Sequence, residues 1–219
     1  HISFSYLHIF INGENNTIDR THTTIYGENI ELEIEIYESL TDVKLSEDFL
    51  YLNGTSVDEI FTFNSENLRY GLNISTTILG IGFHSLTLNF ENSFYNNPKV
   101  EVRFNIELIE TDFVIYFDGF DSTLNKSKNT EYQKDLQIEV EIFQVHNGIE
   151  VIEGNLTLLG INLAEELIYN SITGRFELIL STLDLGISLH FLTLSYQNEN
   201  YELSTERIQV RVGKIKINY

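Results

Sequence analysis

The segment 70–90, YGLNISTTILGIGFHSLTLNF, returns as 176–196, FELILSTLDLGISLHFLTLSY. Arg69 precedes the first copy and Arg175 the second. Gly80 matches Gly186, His84 matches His190, and Leu86, Thr87 and Leu88 match Leu192, Thr193 and Leu194. The histidine pair and the pair Gly13 and Gly119 share one offset, 106 residues. A chain with that internal period is built from two like units, expected at 6–110 and 111–219. Each is long enough to bury a core without disulfide or metal staples. The repeat constrains architecture and names no reaction.

Composition narrows the classes that remain. With 42% hydrophobic and 12% aromatic residues the chain is not disordered. The 33 acidic and 13 basic residues give a formal charge of −20. That argues against nucleic acid and anionic lipid as partners, since both need clustered Lys or Arg. No apolar run approaches a membrane span, so this segment does not insert into a bilayer. Cysteine is absent, which excludes disulfides and Cys-based zinc sites. Nothing at His1 reads as a signal, so any signal or anchor is expected outside this segment. Residues 1–5 align with 107–111 and 214–219 with 108–113, as expected of a piece cut from a longer array or abutting further domains, or of ends that simply extend the terminal strands.

The clearest strand is 28–38, ENIELEIEIYE. Ile30, Leu32, Ile34 and Ile36 fall on one face; Glu31, Glu33 and Glu35 fall on the other, read as a solvated acidic face along with Glu139 and Glu141. Period two over that length means a sheet with one buried side. Strands are also expected over 6–11, 49–52, 59–63, 68–74, 83–90 and 100–108. Leu68, Tyr70, Leu72 and Ile74 should point inward, as should His84, Leu86, Leu88 and Phe90. The polar stretch 14–24 reads as a loop, and 75–82 as a connection between sheets. The second copy repeats the series at 113–117, 136–143, 155–159, 166–169, 175–181, 189–196 and 207–212. Seven short strands per unit with turn signals between them are the signature of a Greek-key sandwich of immunoglobulin type. The expected fold is therefore all-β: two tandem immunoglobulin-like Greek-key β-sandwiches. The junction 109–112 has no Gly or Pro, so the sandwiches are expected end to end on a stiff linker.

An aromatic-led strand followed by L-x-x-G-x-H-x-L-T-L resembles the Ig-like repeats of prokaryotic surface proteins. The nearest likeness is to tandem repeats of large secreted or membrane-anchored archaeal proteins. The residues that carry it are Tyr70, Leu79, Gly82, His84 and Leu86 to Leu88 in the first copy. In the second they are Phe176, Leu185, His190 and Leu192 to Leu194. Ser188 stands where the pattern has Gly82, and Leu68 where the second copy has Gly174. The resemblance implies an extracellular or cell-surface role as stalk, coat, filament component or adhesive module. Its partners would be other copies, neighbouring repeats or surface glycans.

Candidate sites are few. His84 and His190 are equivalent, and a unique active site is not normally duplicated, so both read as structural rings needing only a backbone partner. His1, His8, His22 and His146 have no counterparts. No zinc spacing, G-x-S-x-G or phosphate-binding glycine motif is present. His84 and Ser85 are neighbours in a strand and point to opposite faces. The chain is not expected to be an enzyme or to need a cofactor, calcium apart. Asp118 and Asp121 form D-x-x-D in a loop, and Glu107, Glu110 and Asp112 gather at the junction, with Glu150 and Glu153 expected nearby. Calcium is the ion such oxygens would take. Asn15, Asn53, Asn73, Asn125 and Asn155 open Asn-x-Ser/Thr triplets, candidates for glycosylation. Two further readings remain open. The segment 1–11 could complete a neighbour's sandwich by strand donation, provided 6–11 is unpaired in its own chain. A carbohydrate-binding module of a secreted enzyme would gather Tyr37, Tyr51 and Tyr95 in one groove.

Overall fold

A computed structural model describes residues 3–46, 49–54, 58–91, 94–96 and 99–215. His1, Thr55 of the Asn53 triplet, and 216–219 of the terminal alignment lie outside the described residues. The chain divides into His1–Leu108 and Ile109–Tyr219.

The first unit runs β1 (Ser3–Ile11), β2 (Glu14–Asn15), β3 (Thr21–Ile25), β4 (Asn29–Glu38), β5 (Phe49–Asn53), β6 (Asp58–Ile60), β7 (Thr62–Asn64), β8 (Arg69–Ser75), the single turn α1 (Thr76–Leu79), β9 (Gly82–Glu91), β10 (Tyr95–Asn96) and β11 (Lys99–Glu107). One sheet has the order β10-β1-β4-β8-β7 and the other β3-β11-β9-β5-β6. In immunoglobulin terms these are ABED, with the short strands β10 and β2 added beside β1, and A′GFCC′. The alternation explains the layering. Ile30, Leu32, Ile34 and Ile36 of β4 are buried, and they meet Leu86, Leu88 and Phe90 of β9 and Val102, Phe104 and Ile106 of β11 in one core.

The second unit runs β12 (Thr111–Phe117), β13 (Phe120–Asp121), β14 (Ser127–Glu131), β15 (Asp135–Gln144), β16 (Asn155–Gly160), β17 (Leu163–Asn170), β18 (Arg175–Ser181), the turn α2 (Thr182–Leu185), β19 (Leu189–Gln197) and β20 (Ser204–Gly213). Its own core joins Leu136, Ile138, Val140 and Ile142 to Leu192, Leu194 and Tyr196 and to Ile208, Val210 and Val212. Here β17 pairs with β16 over Leu163 to Leu167 and with β18 over Ile168 to Asn170. It therefore belongs to both sheets, and the strand order becomes continuous.

Several expectations change. The polar stretch 14–24 is not all loop: it holds β2 and the start of β3. β3 pairs in parallel with β11, from Thr21 opposite Arg103 to Ile25 opposite Glu107. Thr and His conceal this strand because it lies at a sheet edge and needs little apolar surface. The segment 59–63 is two strands, since β6 pairs with β5 and β7 with β8 in the opposite sheet. The connection 75–82 does cross between sheets, through α1. Finally, 6–11 is fully engaged in its own chain, from Tyr6 opposite Tyr37 to Ile11 opposite Leu32. That pairing removes strand donation by this segment.

Leu68 does not point inward. It is 40% exposed and sits at φ 55°, just before β8. Gly174 occupies the same place before β18 at φ 72°. A left-handed backbone opposes a Cβ carbon, so the second copy has the fitting residue and the first does not. Leu68→Gly should therefore stabilise the first unit by about 1 kcal/mol, net of the glycine's extra chain entropy. The check is a higher denaturant midpoint at unchanged slope; a lower midpoint would show that the leucine side chain matters more than its backbone.

Candidate functional site

The most organised polar groups lie on the outer face of each ABED sheet, where a solvated acidic face was expected. Arg69, on β8, stands across from β4. Its Nη1 donates to Glu33 Oε2 at 2.7 Å and its Nε to Glu35 Oε1 at 3.0 Å. Its guanidinium carbon lies 4.0 Å from the centre of the Phe10 ring on β1. Glu35 also accepts from Lys44 Nζ at 2.8 Å and from the Tyr37 hydroxyl at 2.9 Å. Burial alone would raise the Glu35 carboxyl, but the hydrogen bonds from Lys44, Arg69 and Tyr37 outweigh it and hold it at about 2.

The second unit rebuilds the arginine, the two glutamates and the ring at the same offset, with Phe143 and Glu150 in the places of Tyr37 and Lys44. Arg175 Nε donates to Glu141 Oε1 at 2.8 Å, its Nη1 to Glu139 Oε2 at 3.4 Å, and its guanidinium lies 3.6 Å from the Tyr116 ring centre. Glu35 and Glu139 are each only 6% exposed. The acidic face is thus corrected to two carboxylate pairs bracketed by an arginine stacked on an aromatic ring; Glu31 alone stays exposed. Such a cluster holds three strands in register. It commits the arginine's Nε and Nη1 to the two carboxylates and one face of its guanidinium to the ring.

The duplicated histidines do what a structural ring should. His84 Nε2 donates to Gly80 O at 2.9 Å and His190 Nε2 to Gly186 O at 3.1 Å. A carbonyl only accepts, so the proton is on Nε2. The Ser85 hydroxyl donates to Glu101 rather than to His84, so the two do not form a catalytic pair. Thr76 and Thr182 are fully buried. The Thr76 hydroxyl donates to Glu28 O at 2.8 Å and accepts from Gly27 N–H at 2.8 Å. Thr182 donates to Glu131 O at 3.3 Å. These hydroxyls tie the crossing turn to the loop before β4 in the first unit and to the end of β14 in the second.

The acidic candidates are dispersed. Asp118 forms an ion pair with Lys128 and accepts from Gln137 N–H at 3.2 Å. Asp121 accepts from Thr123 N–H at 2.9 Å, and that bond holds its carboxyl below the usual range. Glu107 accepts from Asn105 Nδ2 at 3.0 Å, and Asp112 from the N–H of Phe113 at 2.8 Å. Val145 N–H reaches Glu110 O at 3.0 Å, so the loop after β15 does lie beside Glu110. Glu150, however, takes the Tyr169 hydroxyl at 3.3 Å, and Glu153 gives its backbone carbonyl to the Tyr196 hydroxyl at 2.8 Å. Among the described residues no three His, Asp or Glu side chains converge as metal ligands. With no such convergence of ligands, millimolar calcium should leave the melting temperature within about 1 °C, whereas a bound ion well above its Kd would add kcal/mol and several degrees.

The five sequon asparagines all face solvent. Asn15 lies on β2, Asn53 ends β5, Asn73 is on the outer face of β8, Asn125 precedes β14 and Asn155 starts β16; each is exposed. The three tyrosines do not share a groove. Tyr37 is on β4 and stacks on Tyr6 at 5.2 Å, Tyr51 is on β5 in the other sheet, and Tyr95 packs against the core.

The strand order, with A bonded to B and A′ running parallel to G, defines two all-β immunoglobulin-like sandwiches. No protein-family model matches the chain. No curated protein matches it either. Solved structures do. The adhesin InvE of Yersinia pseudotuberculosis is 12% identical with a TM-score of 0.38, over 94% of this chain and 58% of that one. This chain thus spans less than two thirds of the InvE chain. Domains 6–7 of the surface layer protein SbsC give 10% identity and a TM-score of 0.43, over 94% and 98%. The IG1+IG2 pair of DIP-gamma gives 10% and 0.35, over 96% and 98%. At such identities the likeness concerns fold alone.

Proposed function

We propose that this chain is a non-catalytic extracellular or cell-surface module, a structural or adhesive piece made of Ig-like repeats. One observation carries the reading: the ordered polar groups that recur in both copies serve the fold. The arginine clusters, the histidine rings and the crossing threonines all bond backbone or hold strands together. Where the copies differ, the differences lie mainly on exposed strand faces and loops, which is where recognition would be placed. The exposed sequons suit an extracellular setting, with Asn15, Asn53, Asn73, Asn125 and Asn155 as the sites of attachment.

The test is made on intact source cells. Brief protease treatment should release peptides of this chain into the medium, and the native chain should carry mass beyond its sequence at one or more of the five asparagines. A chain found only after lysis, with its sequence mass, would defeat the proposal.

A further inference from the structure

At one end of the second unit are a knob and a crevice. The knob is the hairpin that joins β12 to β13, the D-G-F-D stretch 118–121. Its Phe120 is 73% exposed and is followed by the exposed carboxylate of Asp121. The crevice, about 640 Å³, opens between the β16–β17 turn and the corner from α2 into β19. Leu163, Leu185, Leu189 and Phe191 line it, with Arg207 and Asp184. Phe191 is 50% exposed, and the Arg207 guanidinium lies 4.3 Å from its ring centre. Arg211 follows on the same face of β20, opposite Leu189. Neither arginine forms an ion pair among the described residues, although most other cations of this acidic chain do.

The first unit differs in sequence at both places. At the knob it carries Asn12, Gly13, Glu14 and Asn15; in place of Phe191 and Arg207 it has Ser85 and Glu101. Its outward Asn53, a sequon, stands where the second unit exposes Leu159. The side chains that make the knob and the arginine side of the crevice are therefore particular to the second unit.

We infer that the crevice of the second unit receives the Phe120 knob of a second copy of this chain. A slot of mixed lining, with leucines and Phe191 on its walls and an arginine outside any described ion pair beside them, fits an aromatic ring followed by a carboxylate. Asp121 meets Arg207, and repulsion from Asp184 sets which way the knob enters. The ladders place both parts at the same end: Phe117 opposite Ile138 and Asp135 opposite Ser181 bring the hairpin to the α2 end, and β16 reaches it beside Leu192. Two copies related by a two-fold axis can then exchange knobs, which makes the contact reciprocal and closed. The inference gives the proposed surface module a partner and rests on that reading only for where the contact is made. Self-association is measured on purified chain and surface exposure on cells, so either can fail alone.

The experiment is sedimentation equilibrium of the full chain across micromolar to millimolar concentration. Mass should rise from the 25.4 kDa monomer toward twice that value. Phe120→Ser and Arg207→Glu should each weaken association at least tenfold, with unchanged circular dichroism. Phe83→Ser, an equally exposed ring on the first unit, should leave it unaltered. Mixing the Phe120→Ser and Arg207→Glu chains restores one intact knob with one intact crevice and should recover part of the association. A wild-type chain that stays monomeric, or association indifferent to Phe120→Ser, overturns the inference.

Discussion

Gly154→Ala should cost the second unit about 3 kcal/mol or more. Gly154 lies at φ 107°, and a Cβ carbon built there would sit 2.7 Å from Cε2 and 2.8 Å from Oη of Tyr196. Two penalties combine: left-handed strain of about 1–2 kcal/mol and overpacking of about 1–3 kcal/mol. The ring cannot easily yield. Tyr196 is fully buried, and its hydroxyl donates to Glu153 O at 2.8 Å. Native-state hydrogen exchange gives the readout: amides of 109–215 should lose protection while those of 3–108 keep theirs. A loss under about 1 kcal/mol would show that the loop before β16 can move aside. Phe90 occupies the equivalent position in the first unit, so Tyr196→Phe should cost only the hydrogen bond, about 1 kcal/mol.

Arg69→Ala should destabilise the first unit by about 2 kcal/mol, because it leaves Glu33 without its cation and Glu35 with Lys44 alone. Arg175→Ala should do the same to the second unit, and the two losses should add, since the clusters share no residues. Replacing Glu33, Glu35 and Arg69 together with apolar residues should cost far less than Arg69→Ala alone. The same cluster predicts an acid limb. The Glu35 carboxyl is depressed from 4.5 to about 2 in the folded chain. Its contribution is therefore whole above about pH 4.5 and is lost as pH falls toward 2. Glu35→Gln should flatten that limb, measured by urea titrations at several pH values. An unchanged acid limb would mean that other carboxylates dominate it.

The layering was legible because an alternating strand declares its buried face, and the repeat supplied a second reading of each strand. Ile30 to Ile36 and Leu136 to Ile142 needed no structure to be placed. Edge strands were not legible. β3 is nearly free of apolar residues and is held by backbone hydrogen bonds, which leave no side-chain period. The arginine clusters were half visible. Arg69 and Arg175 share the offset, and so do the glutamates of β4 and β15, while Glu31 drifts to Gln137. Charged positions retained where their neighbours change point to a partner rather than to water. Pairing across strands was the missing step, since Glu35 and Arg69 are far apart in the chain. The calcium reading asked how many acids lie close in sequence; the fold asks what each carboxylate already holds. Phe120 and Phe191 carried no sequence signal beyond being aromatic, because exposure is a property of the folded surface.

The strand β17 has one further consequence. In the second unit it passes from one sheet to the other without a break, so the two layers are sewn along that side by consecutive hydrogen bonds. In the first unit the matching chain bends at Phe61 between two three-residue strands. A pull that shears the layers must unzip a ladder in one unit and only straighten a bend in the other. Under tension the chain has a weak half and a strong half, and the first unit should give way at lower force.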